Sequence, residues 1–201
     1  MKRIRFVFAM LVAAAAFEPA WALKIGDPLA EKAVRMKTAD GKDVSIGDVA
    51  GKKGTLVLFT CNACPWVKAW ETRIAQLGNE YSKQGVGVIA VNSNDPSVVR
   101  EDGFEVMQQR AKEKGFEFPY AVDEGSKLAR AYGAERTPEA FLFDAEDKLV
   151  YHGTIDDNAK EPKDVKQRYL RDALQALVDG KPIPEKETKS LGCTIKFYPE
   201  G

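Results

Sequence analysis

Cys61-Asn62-Ala63-Cys64-Pro65 carries the clearest capacity for chemistry in this chain. Two thiols separated by two residues can pass between dithiol and disulfide, and their setting decides how reactive they are. The pair follows a continuous apolar run, Thr55-Leu56-Val57-Leu58-Phe59, and precedes a stretch of helical periodicity. A helix start offers unpaired N–H groups and the positive end of a dipole, both of which stabilise a thiolate. A thiol there drops below its free value of about 8.5 and attacks at neutral pH. The second cysteine, one turn on, can resolve a mixed disulfide. Pro65 suits a first helical turn, where its missing N–H has no partner to lose. Haem attachment of the c type would need His after the second Cys, and Pro65 stands there. A metal set could draw on Cys61, Cys64, Cys193 and His152. A purely structural bridge closing so small a loop stabilises little.

Thr137-Pro138 is the second marker, placed just before the apolar strand Ala140-Phe141-Leu142-Phe143. Proline belongs at a strand's start, often with a cis bond, because inside a sheet it removes a ladder hydrogen bond. Cys193 is the third thiol; it is either a redox partner folded back onto the pair or a buried inert cysteine.

The whole chain bounds these readings. It has 201 residues, 30 Lys+Arg against 30 Asp+Glu, one His and three Cys, with 44% hydrophobic residues. That length fits one ordinary domain with appendages and a real core. Zero net charge gives no electrostatic case for nucleic acid. Lys2, Arg3 and Arg5 precede an apolar run from Phe6 to Phe17 that ends at Pro19-Ala20-Trp21-Ala22. This is the pattern of a secretory signal, residues 1–22, and the run is short for a transmembrane helix. Its alternative is an uncleaved N-terminal anchor. Removing it leaves 27 basic and 29 acidic residues, no stable membrane insertion, and thiols facing the oxidising periplasm.

The elements that must position the thiols follow in order. A hairpin joins Val34–Thr38 to Lys42–Ile46 over Asp40-Gly41. Buried strands fall at Thr55–Phe59 and Gly87–Val91, with a helix from about Ala63 to Lys83 between them. Asp95-Pro96-Ser97 reads as a helix start, Phe118–Val122 as an extended piece, and Lys127–Tyr132 as a short helix stopped by Gly133. Ala140–Phe143 and Lys148–His152 form a second hairpin, and a last helix covers about Asp164 to Val178. The expected fold is α/β, a mixed central sheet with helices on both faces and an N-terminal β-hairpin extension. One domain spans 23–183. The tail, 184–201, alternates through Leu191, Cys193, Ile195 and Phe197, as a segment packed back on the domain would.

Strand, CxxC, helix and a downstream Thr-Pro before a hairpin resemble the thioredoxin superfamily. Gly26-Asp27-Pro28 and the hairpin through Asp40-Gly41-Lys42 resemble its redoxin (AhpC/TSA-like) branch, which includes peroxiredoxins and exported TlpA/ResA-type reductases. Cys-Asn-Ala-Cys-Pro-Trp-Val-Lys, Gly-Thr-Ile-Asp-Asp at 153–157 and Gly192-Cys193-Thr194-Ile195-Lys196 are most similar to the "peroxiredoxin-like 1" thioredoxin-family proteins, over about 24–198. The resemblance implies a thioredoxin-like fold with Cys61 the exposed nucleophile, Cys64 the resolving thiol and Pro138 the cis-proline. It also implies that Thr137 offers its backbone to an extended substrate.

Departures from these patterns mark the limits of the likeness. The Pro-x-x-x-Thr-x-x-Cys of peroxiredoxins is out of register here, and Arg136 does not match the spacing of their catalytic arginine. No acid lies between Thr55 and Thr60 to serve Cys64, which leaves Glu139 and Lys68 as candidate proton acceptors by position. Sco-type copper proteins use a Cys pair one residue longer with a distant His, a role that His152 would have to fill beside Cys61 and Cys64. The resulting expectation is an exported thiol–disulfide oxidoreductase without a cofactor. Its partners are disulfide- or thiol-containing protein or small-thiol substrates and a redox partner. The alternatives are a thiol peroxidase and a Sco-like copper or zinc module.

Overall fold

The computed structural model describes residues 22–200. The expected leader lies outside the described residues except for Ala22. In chain order come β1 (Met36–Lys37), β2 (Asp43–Val44), α1 (Ile46–Val49), β3 (Gly54–Thr60), α2 (Pro65–Ser82) and β4 (Val86–Asn92). They are followed by α3 (Phe104–Glu113), β5 (Tyr120–Val122), α4 (Lys127–Tyr132), β6 (Arg136–Thr137), β7 (Glu139–Phe143), β8 (Leu149–Gly153), α5 (Tyr169–Val178) and β9 (Cys193–Thr194).

The central sheet has the order β5-β4-β3-β7-β8. β5, β4 and β3 run parallel, while β7 and β8 are antiparallel additions. Every residue of β3 and β4 is buried, which is why both read as unbroken apolar runs. Their side chains alternate between two cores. Leu56, Leu58, Val88, Ala90 and Leu142 pack with Trp70, Ile74 and Leu77 of α2 and with Leu170 and Leu174 of α5. Val57, Phe59, Ile89, Val91, Phe141 and Phe143 pack on the other face with Leu128 and Tyr132 of α4. Helices therefore cover both faces of a mixed sheet. No helix among the described residues is long and apolar enough to cross a membrane.

Two local expectations are corrected. The first hairpin is shorter than its apolar pattern suggests, because Ser45 caps α1 in a reciprocal box with Asp48 and Ile46 is buried from that helix. The helix expected at Asp95 begins only at Phe104. Asp95 instead closes a turn, its C=O accepting from Val98 and Val99 and its N–H donating to Lys196 O in the tail. The short 3-10 turn Arg100–Asp102 then brings Asp102 beneath the CxxC loop.

The tail packs on the domain. Glu187 runs parallel to β8 at His152, with His152 N donating to Lys186 O and Thr188 N to His152 O. Farther on, β9 pairs antiparallel with β6.

Candidate active site

β3 ends at Thr60, α2 begins at Pro65, and Cys64 is the N-cap of the helix. The turn between them is pinned from below. Asp102 Oδ1 accepts from Asn62 N (2.5 Å) and Ala63 N (3.3 Å), and Asn94 Nδ2 donates to Asp102 Oδ2 at 2.7 Å. Asn62 Nδ2 donates to Glu101 O, and Tyr120 Oη donates to Asn62 Oδ1. Asn62 is therefore an internal anchor that fixes the spacing of the two thiols. Asp102 is a site residue that sequence reasoning missed. Among its neighbours Arg100, Glu101 and Gly103 it reads as an ordinary acid near a helix start, and only the sheet carries it to residue 62.

Three sulfurs meet at this junction. Cys61 Sγ lies 3.1 Å from Thr137 Oγ1, Cys64 Sγ donates to Thr137 O at 3.2 Å in its protonated form, and Cys64 and Cys193 Sγ are 2.8 Å apart. The Thr137–Pro138 peptide is cis. Cys61 is only 3% exposed and Cys64 4%, so the expectation of an exposed Cys61 is corrected. The tail lies over the site, and the Thr137 backbone, expected to face a substrate, is paired with Cys193 of the same chain.

The thiolate rests on Cys64. A hydrogen bond from the Cys61 thiol, against the opposing effect of burial, holds Cys64 down at about 5, helped by Cys193 and by the Val67 N–H in the first turn of α2. The Cys61 thiol is pushed far up by sharing its proton with Cys64, by burial and by the charge of Asp102. Burial and the neighbouring Cys64 raise Cys193 to about 11. The two thiols are thus pulled in opposite directions, Cys64 down and Cys61 up, and the negative charge is favoured on the sulfur that caps the helix N-terminus.

The remaining expected residues lie elsewhere. Lys68 is exposed on α2. Glu139 is buried but fully engaged: Oε2 accepts from Glu135 N and Arg136 N, and Oε1 accepts from Ser190 Oγ and pairs with His152 Nε2 at 2.7 Å. It ties β6, β8 and the tail together, and its hydrogen-bond partners do not include a cysteine. His152 is held by Glu139 and stacks on Phe141 at 4.4 Å. The metal set of Cys61, Cys64 and His152 is not assembled, since His152 is held by Glu139, and among the described residues no three or more His, Cys, Asp or Glu side chains are arranged to hold a metal ion. Arg136 Nη1 donates to Gly192 O.

In the motif 153–157, Asp156 accepts from Trp70 Nε1 at 2.7 Å and pairs with Arg73, clamping α2 against the sheet. Trp70 is fully buried, whereas Trp66 stands at the surface beside the thiols.

Known proteins share this fold and part of this sequence. The chain resembles the thiol-disulfide oxidoreductase ResA of Halalkalibacterium halodurans, with 28% identity over 115 residues, 57% of this chain and 61% of that protein. The match thus spans about three fifths of that relative's own length. A hypothetical protein from Sinorhizobium meliloti 1021 superposes with TM-score 0.82 at 34% identity, covering 89% of this chain and 97% of that one. An uncharacterized conserved protein from Geobacillus kaustophilus gives TM-score 0.78 at 38% identity, covering 89% and 93%. The fold is thioredoxin-like. The Redoxin family model matches residues 24–168, the span that holds the central sheet, both CxxC thiols and the cis-proline, and the chain belongs to the Redoxin family.

Proposed function

We propose that this protein is an exported thiol–disulfide oxidoreductase that exchanges disulfides with protein or small-thiol substrates through Cys61 and Cys64. One observation carries the reading: the two cysteines stand at the N-terminus of α2, each within hydrogen-bond distance of Thr137, beside the cis-proline. Cys61 attacks a substrate disulfide, passing its proton to Cys64, and the first substrate thiolate leaves. Cys64 then attacks Cys61, and the intramolecular disulfide forms as the mixed disulfide breaks. The second substrate sulfur departs with the Cys64 proton. Because β9 covers Thr137 and Cys61, the tail has to lift for a protein substrate to reach this sulfur.

Export is part of the proposal. It rests on the basic and apolar leader at 1–22 and places the chain in the periplasm, where a redox partner resets the pair. The test is insulin reduction with dithiothreitol as donor. Cys61→Ser is expected to abolish turnover and Cys64→Ser to trap a covalent adduct. Full activity of Cys61→Ser would end the proposal. A stopped-flow peroxide assay separates it from a thiol peroxidase, since exchange chemistry predicts no peroxide consumption beyond that of a free thiol.

A further inference from the structure

The tail does more than cover the pair. β9 is bonded to β6 in the register Thr137–Cys193 and Arg136–Thr194. Ile195 N donates to Glu135 O at 2.8 Å, and Lys196 N donates to Asn94 Oδ1 at 2.8 Å. Gly192 lies so close to Thr137 that a Cβ there would come within 2.2 Å of the Thr137 carbonyl oxygen. This seat sets Cys193 Sγ 2.8 Å from Cys64 Sγ. The first turn of α2 serves both sulfurs, the Val67 N–H facing Cys64 and the Trp66 N–H facing Cys193. Cys193 is also the most exposed of the three: Cys61 and Cys64 are buried, while Cys193 stands half-buried at the edge.

We infer that Cys193 is a third catalytic thiol, which takes the disulfide over from Cys61–Cys64 by attacking Cys64 and presents it to an external dithiol. The inference rests on the reading of Cys61–Cys64 as an exchanging pair. In the transfer the Cys193 thiolate forms a bond to Cys64, the Cys61–Cys64 bond breaks, and the electron pair leaves with Cys61 as a thiolate. A thiolate of the external dithiol then attacks Cys193, and Cys64 leaves as a thiolate. The second external thiol resolves the mixed disulfide and frees Cys193, so the external dithiol is oxidised and the protein reduced. The electrostatics of the seat fit this order. Besides burial, Cys193 is held protonated by the hydrogen bond to Cys64 and its charge, and both vanish once Cys64 is bonded to Cys61. The Trp66 N–H and Lys196 remain to favour its thiolate.

The test follows the unsubstituted protein through reduction. The full chain, oxidised with diamide, is mixed with dithiothreitol, acid-quenched at intervals, alkylated and digested with trypsin. Peptide 54–68 carries Cys61 and Cys64, and peptide 190–196 carries Cys193. The expected intermediate joins the two peptides through Cys64 with Cys61 alkylated, before all thiols become free. The same joined species is the expected oxidised product of Cys61→Ser. Gly192→Val, which blocks the seat, should lose it while keeping the Cys61–Cys64 bridge. If Cys193 is alkylated at every time point while Cys61–Cys64 opens and closes, the relay is overturned and the proposed function stands. If no cysteine cycles at all, both fall.

Discussion

Replacing Cys61 with Ala tests the electrostatics of the site through a single hydrogen bond. The Cys61 thiol is the largest stabiliser of the Cys64 thiolate, which titrates at about 5. A hydrogen bond to a charged group contributes about 1.5–3 kcal/mol. At about 1.4 kcal/mol per pKa unit, its loss moves Cys64 up by about 1–2 units, to about 6–7. Cys61→Ser keeps a donor and should fall between. The assay is the rate of iodoacetamide addition to peptide 54–68 as a function of pH, read by mass. At pH 6 a thiol of pKa 5 is about nine-tenths ionised and one of pKa 6.5 about one-quarter, so the two curves separate most clearly there. Stability follows the same sign. The folded pKa of Cys64 lies below its unfolded value, so the dithiol form gains stability as pH rises from about 5 toward about 8.5 and loses it as pH falls through about 5. Cys61→Ala should flatten that slope. A wild-type midpoint near 8.5, or an unchanged midpoint in Cys61→Ala, would refute the placement of the charge on Cys64.

Three further outcomes are expected. In a Cys64→Ser background, Asp102→Asn should lower the alkylation midpoint of Cys61, because a negative charge opposing its ionisation is removed while the amide oxygen still accepts from Asn62 N; an upward shift contradicts the argument. Asp156→Ala leaves a buried Trp70 N–H without a partner and removes the counter-charge of Arg73, whose guanidinium keeps only its backbone acceptors, and should lose about 3 kcal/mol in urea unfolding, with Asp156→Asn losing less. Burial raises the Glu139 carboxyl, yet the hydrogen bond to His152 and the two backbone N–H groups outweigh it, and the group stays below the ordinary glutamate value. Its stabilisation is therefore present above a pH of about 4.3 and lost as pH falls through the folded value, so urea midpoints compared at neutral and strongly acid pH should show a smaller acid loss in Glu139→Gln.

Residues whose roles are local were legible in the chain. Gly133 stops α4 in the left-handed conformation, at the residue where its spacing placed the end of the helix. The runs Thr55–Phe59 and Gly87–Val91 became β3 and β4, because a strand covered on both faces has no polar side to show. Ile46 and the Asp95 turn were misplaced for one reason. Each is decided by competing hydrogen bonds, the Ser45–Asp48 cap and the Asp95–Lys196 backbone pair, and the second joins residues a hundred positions apart. Glu139 and Asp102 show the same limit in opposite ways. Proximity to Thr137 in the chain suggested Glu139, but the alternation of β7 sends its carboxyl to His152 and Ser190. Nothing in the chain suggested Asp102, which reaches Asn62 only because β4 lies beside β3.

The sequence by itself determined the reagents: two thiols at a strand-to-helix junction, a proline at the head of the next strand, and a spare cysteine in an alternating tail. Only the tertiary structure decided how they share charge and exposure. A thiol's pKa depends on the donors and charges within a few ångströms, and these come from β6, the β4–α3 turn and the C-terminus. The chain's order of cysteines placed the attacking thiol at Cys61. Packing buried that sulfur, drew the negative charge to Cys64, and set Cys193 against it from the far end of the chain.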